Sequence, residues 1–177
     1  MFHVKHRYTK IKRRVMFHVK HRYTKIKRRV MFHVKHSIKY YMEEKYYEEI
    51  IKLAKKAYKK GEVPVGAIVV KDGKILSKAY NKVEKDRDAT MHAEILVIKK
   101  ASKKIKNWRL NNCEMYVTLE PCMMCTAAIE LSRIKKVHYL LKRDKEIIKN
   151  KEKYIYEETE SSQEVLELLQ SFFKSKR

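Results

Sequence analysis

Tyr47, Ile50, Ile51, Ala54 and Ala57 recur three and four positions apart with Glu and Lys between them, and Gly61 follows, so the spacing predicts an amphipathic helix with a glycine stop. The period then shortens: Val65 to Val70 is a β-branched run, Asp72-Gly73 is the pair favoured in a two-residue hairpin turn, and Lys74 to Tyr80 reads as the returning strand. Beyond Thr90, read as an N-cap, His92 to Ala101 is a second helix. Cys113 to Thr118 reads as a strand, Cys122 to Leu131 as a helix with Pro121 in its first turn, and Lys136 to Leu141 as a further strand. Val165, Leu168, Leu169 and Phe172 share one face of a last helix. Alternation of this kind builds a central sheet with helices packed on it.

Composition changes that picture at the N-terminus. Met1 to Val15 reads MFHVKHRYTKIKRRV, Met16 to Val30 repeats it residue for residue, and Met31 to His36 begins a third copy. Solenoid repeats are longer and vary between copies, so an identical fifteen-residue period reads as tandem duplication rather than a fold. Residues 1–36 hold 13 of the 44 Lys and Arg, six of the eight His and no acidic residue, which predicts a self-repelling, disordered basic arm. It reads either as an RNA-binding tail or, more simply, as an incidental extension ahead of a start at Met16, Met31 or Met42. The folded domain is then expected over residues 37–177.

The 177-residue chain carries a net charge of +23, and about +10 of it falls from residue 37 onward, so the folded part suits a polyanionic partner too. Its longest nearly unbroken apolar run, Val63 to Val70, is far below the roughly 20 residues that span a bilayer, and neither a membrane span nor a secretory leader is expected. No glycine-rich phosphate loop is present. An odd cysteine count, Cys113, Cys122 and Cys125, argues against a disulfide scaffold and for a thiol or metal role in the cytoplasm.

The candidate chemistry sits in two short clusters, Met91-His92-Ala93-Glu94 and Pro121-Cys122-Met123-Met124-Cys125, each at the start of an expected helix. Residues three apart on a helix differ by about 300°, so Cys122 and Cys125 point from one face, where a helix N-terminus and a metal stabilise thiolates. One imidazole, His92, completes three protein ligands to a tetrahedral zinc and leaves a fourth position for water, the pattern of a catalytic site. Glu94, two residues on, is badly placed to chelate the same ion and reads as the acid/base group. The plainer readings are a helix-start charge for Glu94 and a redox pair for the cysteines. A C-x-x-C alone would leave redox open, but H-x-E followed by P-C-x-x-C is the signature of zinc deaminases. His138, inside a strand, reads as a structural histidine.

Residues from about 43 to 137 resemble the bacterial tRNA-specific adenosine deaminases of the cytidine deaminase-like superfamily. The matching stretches are Glu62 to Ala67, Asn81, Asp88 to Glu94, Trp108-Arg109-Leu110 and Tyr116 to Cys125. The resemblance implies a three-layer α/β/α sandwich with a central mixed five-stranded sheet, a homodimer, one zinc per chain on His92, Cys122 and Cys125, and Glu94 as proton shuttle. It also implies that Asn81 holds the substrate nucleoside. Met91 and the Ala127-Ala128 pair replace smaller residues usual in that family, and the Lys-rich, glycine-free segment after His138 departs from its pattern.

The leading expectation is therefore an RNA-editing enzyme that converts adenosine to inosine at the wobble position of a tRNA anticodon stem-loop. A deaminase of free bases or nucleosides, such as guanine, cytosine or cytidine, would share every zinc residue but need no basic surface. Lys142, Arg143, Lys174, Lys176 and Arg177 lean against it. A non-enzymatic RNA-binding module would not need Glu94 or an open metal position.

Overall fold

The structure, a computed structural model, describes residues 44–143, 154–158 and 162–176. The tandem repeat and the boundary expected after residue 36 lie outside the described residues. Helix α1 (residues 44–58) ends where Glu62 N–H turns back to the carbonyl of Ala57, with Gly61 at φ 74°. That left-handed conformation is the one glycine adopts without penalty. Strands β1 (Gly66–Lys71) and β2 (Lys74–Tyr80) are joined by Asp72 and Gly73, both at positive φ, as a two-residue hairpin requires.

A short helix α2 (Val83–Asp86), unmarked by any sequence period, follows β2. Then come α3 (Ala93–Ile105), β3 (Cys113–Leu119), α4 (Met123–Leu131), β4 (Lys136–Leu141), β5 (Ile155–Glu158) and α5 (Gln163–Ser175). The sheet order is β2-β1-β3-β4-β5, with β1 antiparallel to β2 and β3, and β3, β4 and β5 mutually parallel. This is the mixed five-stranded sheet expected.

Alternate strand residues separate the two layers around it. Ala67, Val69, Met115, Val117 and Val137 face α3 and α4, joining Val97, Ala101 and Ile129 in one buried cluster. Each fully buried Val, Ile or Met side chain there contributes about 1.5–3 kcal/mol. On the other face, α1 presses so closely on β1 that only glycine fits at Gly66, and Tyr46 packs on Tyr116. Helix α5 completes that layer through Tyr58, which bonds Ser171 and packs edge-on against Phe172. His138 is buried here as expected of a structural residue, stacked on Tyr116 at 4.2 Å and bonded to Glu114 at 2.9 Å. Glu114 lowers its own pKa by that bond.

Two ends differ from the sequence reading. Thr90 bonds Asp88, and the N-cap of α3 is His92; Pro121 lies before the helix, whose N-cap is Cys122. The edge strand β2 has two of its carbonyls, Lys78 and Leu76, covered by the ammonium groups of Lys100 and Lys104 from α3. Lysines on an edge discourage pairing with a further strand.

Candidate active site

The register places the start of β1, the end of β2 and the ends of β3 and β4 together, because Gly66 pairs with Tyr80, Ala67 with Val117, and Leu119 with Leu141. Helices α3 and α4 both begin at this end of the sheet. Their N-cap positions, usually held by Ser, Thr, Asp or Asn, are occupied by His92 and Cys122, and neither side chain caps its own helix. They are thereby left for another partner.

His92 Nδ1 lies 3.6 Å from Cys122 Sγ and 3.5 Å from Cys125 Sγ, and the three donor atoms fall within 4.8 Å of one another. Tetrahedral zinc with ordinary Zn–S and Zn–N bonds holds a nitrogen and a sulfur about 3.6 Å apart. Both nitrogen–sulfur separations therefore match those around one tetrahedral zinc ion. Cys125 hydrogen-bonds Cys122 and, with His92, holds the Cys122 thiol down to about 3. The Cys125 thiol is pushed up, first by that same bond and then by burial, and the His92 imidazole is raised by Cys122. A thiolate is thus stabilised even by the protein's own donors, in the electropositive setting of a helix N-terminus.

Glu94, in the first turn of α3, is buried, and its Oε2 has no hydrogen-bond partner among the described residues. Burial raises its carboxyl pKa. A buried carboxyl oxygen without a partner costs free energy unless something outside the chain completes it. Asn81, at the end of β2, is also buried, and its Oδ1 accepts the Ala93 N–H at 2.8 Å. It therefore supplies the missing cap of α3 across twelve residues, and no described residue bonds its amide NH2, the half left for a ligand.

These residues line a cleft of about 640 Å³ whose apolar walls include Val63, Val65, Val83, Leu119, Leu141 and Phe173. Of the site residues expected from the sequence, Asn81, His92 and Glu94 line it, and Cys122 and Cys125 are gathered around the His92 imidazole. Sequence reasoning gave no role to Glu62, whose buried carboxylate accepts the N–H groups of Glu84 and Lys85 and so fixes α2 beside Asn81. Its partners are backbone groups more than twenty residues away, which no side-chain pattern reveals.

The model of the cytidine and deoxycytidylate deaminase zinc-binding region matches residues 41–141. A tRNA-specific adenosine deaminase of Aquifex aeolicus is 54% identical over 97 residues, covering 54% of this chain and 64% of that protein. A solved structure from biochemical and structural studies of A-to-I editing by tRNA:A34 deaminases at the wobble position of transfer RNA matches with a TM-score of 0.56 and 38% identity, over 57% of this chain and 78% of the other. Guanine deaminase from Bacillus subtilis matches with a TM-score of 0.55 and 30% identity, over 74% of this chain and 93% of the other. The chain thus spans less than two thirds of the length of its curated tRNA-deaminase relatives. Because the matched region takes in both helix starts that carry metal donors, the chain belongs to the cytidine and deoxycytidylate deaminase zinc-binding family.

Proposed function

We propose that the protein converts adenosine to inosine at the wobble position of a tRNA anticodon, in the cytoplasm. The observation that carries the chemistry is the buried Glu94 oxygen, without a partner among the described residues, lining with the zinc donor His92 a cleft large enough for a nucleoside. His92, Cys122 and Cys125 would hold the zinc, which when bound acts as a Lewis acid that brings the pKa of water to about 7. Glu94 carries both protons of the attacking water, one to the neighbouring ring nitrogen as oxygen adds at the amine-bearing carbon and the other to the departing amine, so that the carbon–nitrogen bond breaks, ammonia leaves and inosine keeps the ring proton. The remaining Asn81 NH2 donates to the bound nucleoside, while Val63, Val65 and Leu119 keep bulk water from the ring.

The tRNA substrate rests on the relative at 54% identity together with the basic balance of the chain. The guanine deaminase neighbour favours a second reading, a free-base enzyme. Trial substrates separate them: an anticodon stem-loop with wobble adenosine, followed by nucleoside digestion and mass spectrometry, should yield inosine. Conversion of guanine or cytosine with no inosine in any tRNA would overturn the proposal.

The active assembly is proposed to be a homodimer. Met123, Ala127 and Leu131 form an exposed i, i+4, i+8 stripe on α4, Met123 and Leu131 being 73% and 71% exposed. Such an uncharged stripe, in a chain that is 37% charged, suits the same stripe of a second copy better than a polyanion. Among the described residues no helix is long and apolar enough to cross a membrane.

A further inference from the structure

Charge is unevenly spread around the cleft. Since β3 lies between β1 and β4, the segments entering β1 and leaving β2 form one side, and the segment leaving β4 forms the other. The first side carries Glu62 and Glu84, the second Lys142 and Arg143. Adenine has no negative charge for that basic pair to meet, and the zinc donors do not use it.

Arg143 is held in place by Glu120. Its backbone N–H donates to Glu120 Oε2 at 2.9 Å, and its Nε donates to the Glu120 carbonyl at 2.6 Å. Glu120 is buried and tied to β4 through its own N–H, which donates to the Leu141 carbonyl at 2.8 Å. One edge of the guanidinium therefore faces the protein, and its two Nη groups have no hydrogen-bond partner among the described residues. Arg143 lines the same cleft as His92 and Glu94. A guanidinium immobilised on one edge, with spare donors on the other, suits a two-oxygen anion better than a mobile ammonium does.

Resting on the reading that the substrate is an RNA nucleotide, we propose that Arg143 contacts the phosphodiester next to the reacting adenosine and selects a polynucleotide over a free base. Lys142 adds a point charge beside it. The acidic pair Glu62 and Glu84 across the cleft disfavours a phosphate there, so the backbone is confined to the β4 side. This assigns a specificity contact to a segment in which the sequence departs from the family pattern.

The test combines Arg143→Gln with stem-loops in which one of the two phosphates flanking the wobble adenosine is replaced by an uncharged methylphosphonate. Binding is measured in a Glu94→Ala background as a function of salt, and turnover with Glu94 intact. Arg143→Gln should lower the slope of log affinity against log salt by about 0.7–0.9, the value for one lost phosphate contact, and kcat/KM by about 10- to 100-fold. One methylphosphonate should cause the same loss in the wild-type protein, and the two changes together should cost no more than either alone. Arg143→Lys should restore the slope but only part of kcat/KM. Losses that add, or an unchanged salt slope, would overturn the proposal. Should Arg143→Gln fail to fold or to hold zinc, the wild-type protein still decides: if neither methylphosphonate weakens its binding, the contact does not exist. Absence of inosine from the native stem-loop sinks the reading of function separately, since the binding arm needs no turnover.

Discussion

At the scale of single residues, the division of labour between ligands and proton carrier gives the sharpest expectation. Cys122→Ser should lose zinc and activity together, because a hydroxyl is a poor substitute for a thiolate at a tetrahedral site. Glu94→Ala should keep zinc, measured by elemental analysis, while turnover falls by roughly 10²–10⁴-fold, the range for a general acid/base group. Normal turnover in Glu94→Ala would remove Glu94 from the mechanism. The donors were legible in the sequence because few residue types bind zinc and the spacing of two of them is local. Asn81, by contrast, was reached only through a resemblance, and its bond to Ala93 depends on β2 and α3 meeting in space. Arg143 appeared only as one of many basic residues, since nothing local ties it to Glu120.

Secondary elements were legible where their cause is local. The hairpin at Asp72-Gly73 and the bounds of β2 and β4 follow from turn chemistry and β-branched runs. Helix α2 and strand β5 were not, being four residues each and stabilised by distant groups, Glu62 in the first case and pairing with β4 in the second. The N-cap of α3 was misplaced at Thr90 for a related reason: the usual cap chemistry is supplied by Asn81 from another element. Element packing makes its own prediction at Gly66. A Cβ there would strike the Ile50 carbonyl oxygen and come within 2.7 Å of Leu53 Cβ and 2.9 Å of Ala54 N, so α1 would have to lift from β1. Gly66→Ala should destabilise the fold by about 1–3 kcal/mol or more, read as a lower thermal midpoint, with zinc donors untouched. An unchanged midpoint would mean that α1 is not seated as described.

For the whole molecule, two expectations concern surfaces beyond the site. Leu131→Glu, placed at the C-terminal end of the uncharged α4 stripe, should convert a dimer to a monomer in analytical ultracentrifugation; a wild-type protein that sediments as a monomer would dispose of the dimer reading. Protein beginning at Met42 should fold, bind zinc and deaminate nearly as well as the full chain. If the repeat neutralises phosphates, the same truncation should flatten the salt dependence of RNA binding. An identical slope leaves the repeat without an RNA role, and loss of folding moves the domain boundary upstream.

The bond between Asn81 and Ala93 has a consequence for how the site reports its own state. The Ala93 amide proton can exchange with solvent deuterium only when the Asn81 carbonyl lets go, and the same side chain offers its NH2 to the cleft. A nucleoside that engages this NH2 immobilises the carbonyl as well. Protection of one backbone proton at the start of the helix that carries the zinc-binding imidazole thus becomes a clock for occupancy of the pocket, readable without any chemical step taking place.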